Sequence, residues 1–288
     1  LCDWSSDVCS SDLVTTWTIQ SASSSLTIGG ALSSGGSFLA SLVSQANGST
    51  TGPGLTAKYS GSITTNQTVV PVATDGVSGT PTDIQFLSAN LDAIVSGNWD
   101  PAVGGGLGTA PADYGGKVDL GFLGGANLAI RDLLASISSP GSAPLTSVAF
   151  NAQTFSGLNT AVTLTGATAD YRGYGPVGGA LGSGTLTSGI VGQSGAYAAS
   201  GTIGYGPGGI SGTVTLTLPV SFAISRIVSG SGTTQVSDDI GVYLTLNGQL
   251  VAISKTAEVP EASSLVLLGL AGSMIGFTGY RRKMKSVA

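Results

Sequence analysis

The chain has 288 residues and a formal charge of −5, and only 9 % of its positions are charged, far below the usual quarter of a globular protein. It contains no histidine, which removes Ser-His-Asp catalysis, imidazole metal sites and the ordinary near-neutral proton shuttle. A mildly acidic chain without a basic stripe also argues against nucleic-acid binding, which needs several phosphate neutralisers.

The head is set aside first. Asp3 to Leu13 back-translates as a widely used sequencing-adapter oligonucleotide, so residues 1–13 are read as an artefact and native sequence is expected from Val14. Both cysteines, Cys2 and Cys9, fall in this head, so no Cys2–Cys9 bridge is inferred. On this reading the gene is truncated, and a missing signal peptide does not argue for a cytoplasmic protein.

Residues 14–258 form one region, long enough for a sizeable core. Glycine is abundant at 46 residues but has no three-residue period, which excludes collagen, and apolar residues at 41 % favour an ordered β protein over disorder. Alternation predicts strands at Val14–Gln20, Ser25–Ile28, Leu55–Ile63, Val69–Ala73 and Asp83–Leu87. Phe38 to Val43 reads as either a helical turn or a strand. Ser96 to Gly116, rich in Gly and Pro and carrying Trp99, reads as a long loop capping one end of the sheet. Ala126, Ile130, Leu133, Leu134 and Ile137 recur at three- and four-residue spacing before Pro140, which predicts the one helix of the body.

Further strands are expected at Ser147–Gln153 and Ala161–Thr165, with weaker ones at Thr185–Thr187, Ala196–Thr202 and Gly209–Ser211. Val214 to Ile224 alternates apolar and hydroxyl residues, and Pro219 within it implies an edge, a bulge or a break. Asn247-Gly248, between Val242–Leu246 and Gln249–Ile253, has the composition of a tight hairpin turn. The expected fold class is all-β: a mostly antiparallel sandwich or open half-barrel with one short helix, plus a single C-terminal transmembrane helix.

Arg172 to Gly179 echoes Ile203 to Gly209, which suggests two equivalent turns or an old duplication. Both copies satisfy G-x-G-x-x-G, through Gly173, Gly175 and Gly178 and through Gly204, Gly206 and Gly209. That pattern means nucleotide binding only between a strand and a helix. Pro176 and Pro207 sit where a helix would begin and the sequence after them is β-like, so no nucleotide cofactor is expected.

Residues 14–258 contain no cysteine, which removes thiol catalysis, and no S-x-x-K spacing supports a Ser-Lys dyad. The remaining catalytic route is a carboxylate pair of the glycosidase kind, drawn from Asp92, Asp100, Asp113, Asp119, Asp170, Asp238 and Asp239. Glutamate occurs in the body only as Glu258. Asp238-Asp239 lacks the D-x-D-x-D spacing of a calcium loop and reads as a solvated strand-entry turn. Tyr174, Tyr197 and Tyr205 are candidates for a sugar-stacking patch, because their rings offer flat apolar faces with a polar handle. The body is expected to be non-enzymatic, without cofactor or metal.

The tail carries the clearest signal. Val259-Pro260-Glu261-Ala262 is followed by an apolar run from Leu265 to Tyr280 and then by Arg281, Arg282, Lys283 and Lys285. Sixteen helical residues rise roughly 24 Å, short of a ~30 Å hydrocarbon core but able to cross with snorkelling or local thinning. The cations would stay cytoplasmic, which places the body outside the cytoplasm.

This arrangement resembles the PEP-CTERM sorting signal of Gram-negative bacteria, a resemblance confined to the last thirty residues. It implies that Val259, Pro260 and Glu261 form the sorting motif, that 265–280 is a transmembrane helix and that Arg281, Arg282 and Lys283 stop transfer. Ala262 stands where that signal has its second proline. It further implies that an exosortase recognises and removes the tail, taking an inner-membrane-anchored precursor to the cell surface or the exopolysaccharide matrix. The expected organisation is thus 1–13 head, 14–258 exported β domain and 259–288 sorting signal. The expected role is a structural or adhesive component of the surface or biofilm matrix. A β module that binds glycan or lipid is the alternative, and a hydrolase using paired aspartates is a third.

Overall fold

The computed structural model describes residues 11–34, 37–45, 54–71, 79–138, 148–149, 153–186, 191–192, 194–205, 213–228 and 240–255. These form fifteen strands. The first five are β1 (Ser11–Ile19), β2 (Ser25–Ser34), β3 (Ser37–Ser44), β4 (Thr56–Pro71) and β5 (Gly79–Ile94). Then come β6 (Gly97–Trp99), β7 (Ala110–Ala112), β8 (Tyr114–Asp119), β9 (Gly125–Ser138) and β10 (Val148–Ala149). The last are β11 (Thr154–Tyr174), β12 (Ser183–Leu186), β13 (Ser194–Tyr205), β14 (Thr213–Val228) and β15 (Ile240–Lys255). Among the described residues one α-helix, α1 (Gly175–Leu181), lies between β11 and β12. Every strand pairing is antiparallel, as the alternating sequence patterns require.

The wall closes on itself. Ser194 of β13 pairs with Thr163 of β11, Thr163 with Ser136 of β9, and Ser136 with Asn90 of β5. Asn90 pairs with Ser62 of β4, Ser62 with Thr18 of β1, and Thr18 with Ile253 of β15. Ile253 pairs with Thr215 of β14 and Thr215 with Gly204, back on β13 and ten residues beyond the start. Eight strands sheared by ten residues correspond to a tilt of roughly 40° and a radius of about 8 Å, a width that side chains fill. A second panel, β2, β3 and β8, bridges β15 to β9 on the same wall. The all-β, antiparallel expectation holds, and in place of a sandwich or an open half-barrel the wall is a closed ring.

Period-two alternation fills the interior. Trp17 and Ile19 on β1, Tyr59 and Ile63 on β4, Phe86 and Leu91 on β5, Leu216 and Leu218 on β14, and Leu250 and Ala252 on β15 are all buried in one core. The Trp17 indole N–H donates to Thr65 Oγ1 at 2.9 Å, and the Tyr59 and Tyr114 hydroxyls meet at 2.7 Å. Tyr114 passes the chain on to the carbonyl of Leu26 at 3.2 Å, so the phenols inside the barrel are satisfied.

Several expectations change in the folded chain. The helix predicted over Ala126–Ile137 is strand β9. Its helical spacing comes from a bulge: Asp132 adopts φ 51° and the register against β11 shifts there. Buried positions therefore switch from even (Ile130) to odd (Leu133, Ala135, Ile137), and one extra residue turns a two-residue step into three. Asn247-Gly248 is not a turn but the middle of β15, paired with Ser221 and Val220 on one side and Thr27 and Leu26 on the other. Glycine is needed at 248 because a Cβ would stand 2.2 Å from the Ser25 carbonyl oxygen.

The two strands predicted at 55–63 and 69–73 are one, β4, and Phe38–Val43 lies in strand β3. The tract 96–116 folds into the two-stranded β6–β7 sheet and the start of β8 rather than a bare loop. The sequence after Pro176 is helical, with the proline in the first turn of α1 where a missing N–H costs nothing. Pro219 lies two residues past the last described pair of β14 with β13, on a stretch of β14 paired on one side, which is the edge position its ring demands. β1 begins at Ser11, so the last three residues of the head pair with Gln67, Thr68 and Val69. Gly209–Ser211, Asp238-Asp239 and the whole tail, with its predicted helix at 265–280, lie outside the described residues.

Candidate functional site

Two of the three ion pairs among the described residues lie where the segment between β5 and β8 folds as a flap over the outer face of β9. Trp99 anchors the flap. Its indole is buried against Ala112 and Ala129, and it donates to Ser96 Oγ at 3.0 Å. Gly115 exists to admit the ring, since a Cβ there would come within 2.2 Å of Trp99. β9 is thus buried on its barrel face and, around Ala129 and Arg131, on its outer face as well.

The next residue, Asp100, is the hub of a polar clamp. Its carboxylate accepts from Arg172 Nη2 at 2.6 Å to both oxygens and from Asn127 Nδ2. Its backbone N–H donates to Gln45 Oε1 at 3.1 Å, and its carbonyl accepts from Gln45 Nε2, which also reaches the carbonyls of Gly116 and Leu128. The Asp100–Pro101 peptide is cis. Arg131 Nη2 donates to the Pro101 carbonyl at 2.6 Å, and its Nε lies 3.4 Å from Asp170 Oδ2. Asp170 is fully buried; its Oδ1 accepts from the Gly104 N–H at 3.1 Å and from the Thr185 hydroxyl.

Two carboxylates thus face two guanidiniums, and their donors tie the flap to β9, β11 and β12. Arg131 Nε and Nη1, Asp170 Oδ2 and Arg172 Nε have no hydrogen-bond partner among the described residues. Such groups are kept by the ion pairing around them, because an unmatched buried charge would cost several kcal/mol.

Asp113, at the far end of the flap, does a different job. Its Oδ2 accepts from the Leu133 N–H at 2.9 Å, the donor next to the β9 bulge, and its own N–H donates to the Ile130 carbonyl at 2.8 Å. Burial raises its carboxyl to about 6; the Leu133 N–H opposes that shift, while Asp132 and Asp92 add to it. The Tyr59 and Tyr114 phenols beside it are also pushed up, chiefly by burial.

Of the candidate aspartates among the described residues, the structure brings Asp100 and Asp170 into one hydrogen-bonded network and leaves Asp92, Asp113 and Asp119 outside it. Asp92 is exposed on β5. Asp119 pairs with Lys117 at 3.1 Å and accepts from the Gly121 N–H at 2.9 Å, which holds its carboxyl low. Tyr174 is half-buried at the end of β11, where its hydroxyl reaches toward the Val118 carbonyl at 3.5 Å and burial raises its pKa. Tyr197 and Tyr205 lie on β13, opposite Thr160 and Val214, with side chains outside the described residues. Thr160 and Tyr174 are fourteen residues apart on β11, roughly 45 Å of strand, so the register sets the tyrosines well apart.

The first G-x-G-x-x-G does lie between a strand and a helix, but α1 has seven residues and leads into an antiparallel strand, not a parallel βαβ unit. Gly173 and Gly178 serve packing there: a Cβ on Gly173 would meet the Gly178 carbonyl oxygen at 1.7 Å. Among the described residues no group of three or more acidic or cysteine side chains is arranged to hold a metal ion, and no helix is long and apolar enough to cross a membrane. Gln45, Asn127, Arg131 and Thr185 were not singled out by the sequence as site residues, and Trp99 was read only as part of a capping loop. The side-chain partners of those four are 15 to 83 residues away, and no local spacing marks them. Comparisons with protein-family models, with curated proteins and with solved structures find no match to this chain.

Proposed function

We propose that this chain is an exported structural or adhesive component of a bacterial surface or extracellular matrix, addressed by its C-terminal segment. The observation that carries the reading is the order of that segment: Val259-Pro260-Glu261, the apolar run 265–280, then Arg281, Arg282 and Lys283. An exosortase is the partner such a segment implies, and the membrane is its first destination. The body fits a scaffold role in two respects. Asp100, Arg131, Asp170 and Arg172 are engaged in clamping a flap, and the outward positions of the ring carry hydroxyl and amide groups such as Thr18, Asn90 and Ser194, which suit a hydrated polysaccharide environment.

The test is expression of the full chain in a Gram-negative host with and without an exosortase, followed by mass spectrometry of the surface fraction. The expected outcome is a surface form lacking residues beyond the Val259–Glu261 motif, lost when Pro260 and Glu261 are both replaced by Ala. A surface form that keeps Arg281–Lys285, or a full-length chain soluble inside the cell, would overturn it.

A further inference from the structure

Three large apolar side chains stand almost fully in solvent. Phe122 is 90 % exposed, Leu107 84 % and Val103 71 %. A monomer tolerates scattered exposed apolar residues, but these share one end of the barrel. Phe122 lies in the Gly121–Leu123 turn between β8 and β9, Val103 in the Val103–Gly105 turn of the flap, and Leu107 just after it. The flap turn rests on β11 and β12 at Tyr171 and Gly184, where a Cβ on Gly105 would stand 2.9 Å from the Tyr171 carbonyl oxygen. The β8–β9 turn rests on β11 at Tyr174, 2.0 Å from a Cβ on Gly124. These two seats are three residues apart, about 10 Å along one strand.

The turns are also alike in chemistry. Residues 102–110 and 120–126 contain no charged side chain, and the ion pairs beside them, Arg131 with Asp170 under the flap turn and Lys117 with Asp119 before the β8–β9 turn, are internally matched. Glycines with positive φ flank the apolar residues: Gly104 at 73° and Gly108 at 92°, Gly121 at 64° and Gly124 at 94°. The apolar groups are therefore carried on tight turns that need no side-chain partners of their own.

We propose that this end of the barrel is a lipid-binding face, with Phe122, Leu107 and Val103 entering the apolar layer of an electrically neutral membrane surface. A protein partner needs a contiguous patch with a hydrogen-bonding rim, whereas a fluid hydrocarbon layer accepts separate projections and penalises charge, which both turns lack. The face lies away from Lys255, the last described residue of β15. Lys255 stands two residues beyond the Thr18–Ile253 pair toward one end, whereas Gly125 stands eleven residues beyond Ser136 toward the other, a separation on the order of 40 Å along a tilted barrel.

The experiment uses the full chain carrying Phe122→Trp, mixed with phosphatidylcholine vesicles whose acyl chains are brominated. The chain's own tryptophans, Trp4, Trp17 and Trp99, are present with and without the substitution, so the unsubstituted chain supplies the baseline. The expected result is a blue-shifted emission from position 122, quenched at least threefold more than that baseline and insensitive to salt. Adding Leu107→Ser and Val103→Ser should reduce the quenching severalfold. A chain that sediments with vesicles while position 122 stays unquenched overturns the proposal and leaves the sorting reading intact. A blue shift that needs no lipid and grows with protein concentration overturns it in favour of self-association. Quenching at position 122 in a chain whose tail is not processed supports the proposal and counts only against the sorting reading.

Discussion

The barrel wall and the flap over β9 are held by opposite means. In the wall, apolar burial is spread over eight strands, and each residue follows the alternation of its own strand, from Trp17 and Tyr59 to Leu216 and Leu250. The flap has a small apolar contact, Trp99 with Ala112 and Ala129, and depends on directed bonds around Asp100, Arg131, Asp170 and Arg172. Distributed burial degrades gradually as single residues are changed, whereas a clamp of paired charges fails when one partner goes, because the other is left buried and unmatched.

The largest expected effect lies in the wall. Trp17→Ala removes a fully buried indole and its bond to Thr65, and should lower global stability by about 3–5 kcal/mol, read from urea midpoints. Leu216→Ala should cost about 2–5 kcal/mol on the same scale. Asp170→Ala comes next, because it leaves Arg131 buried without its carboxylate. A loss of about 3 kcal/mol is expected, confined at first to the flap: amides of residues 97–112 should exchange early in hydrogen-exchange measurements while those of β14 and β15 stay protected. Equal exchange in both regions would erase the distinction between wall and flap.

Asp113 sharpens the comparison through pH. Its carboxyl is raised to about 6 in the folded chain against about 3.9 unfolded. The folded state therefore binds the proton more tightly. The stability this group contributes is fully present below about pH 4 and is lost as pH rises through about 6. Asp113→Asn, whose amide oxygen can still accept from the Leu133 N–H, should flatten the stability profile between pH 4 and 7 by on the order of 2 kcal/mol. Parallel profiles for the two proteins would show that burial does not perturb the group. The smallest effect is expected for Lys117→Ala. It removes an exposed surface pair and should leave the urea midpoint unchanged at moderate salt.

The strands were legible wherever one face is buried and the other wet, as in β1, β4 and β14, because that contrast is written at a period of two residues. The errors arose where a tertiary neighbour altered a local rule. The Asp132 bulge converted the alternation of β9 into an imitation of helical spacing. Gly248 answered to a passing backbone instead of a turn, and Pro176 opened a short helix after a strand. The clamp was half visible: Asp100 and Asp170 were among the candidate aspartates, but their guanidinium partners were not named as such. Opposite charges on different strands meet only after the register of the sheet has been set.

By itself, then, the sequence determined the β character of the chain, its lack of histidine chemistry and the tripartite order of its last thirty residues, since composition and short-period patterning need no partner to be read. Tertiary structure alone decided the closure of eight strands into a ring, the bulge that Asp113 caps and the flap clamped by two ion pairs. Each of these rests on hydrogen bonds and close approaches between residues tens to hundreds of positions apart, and such contacts leave no local trace.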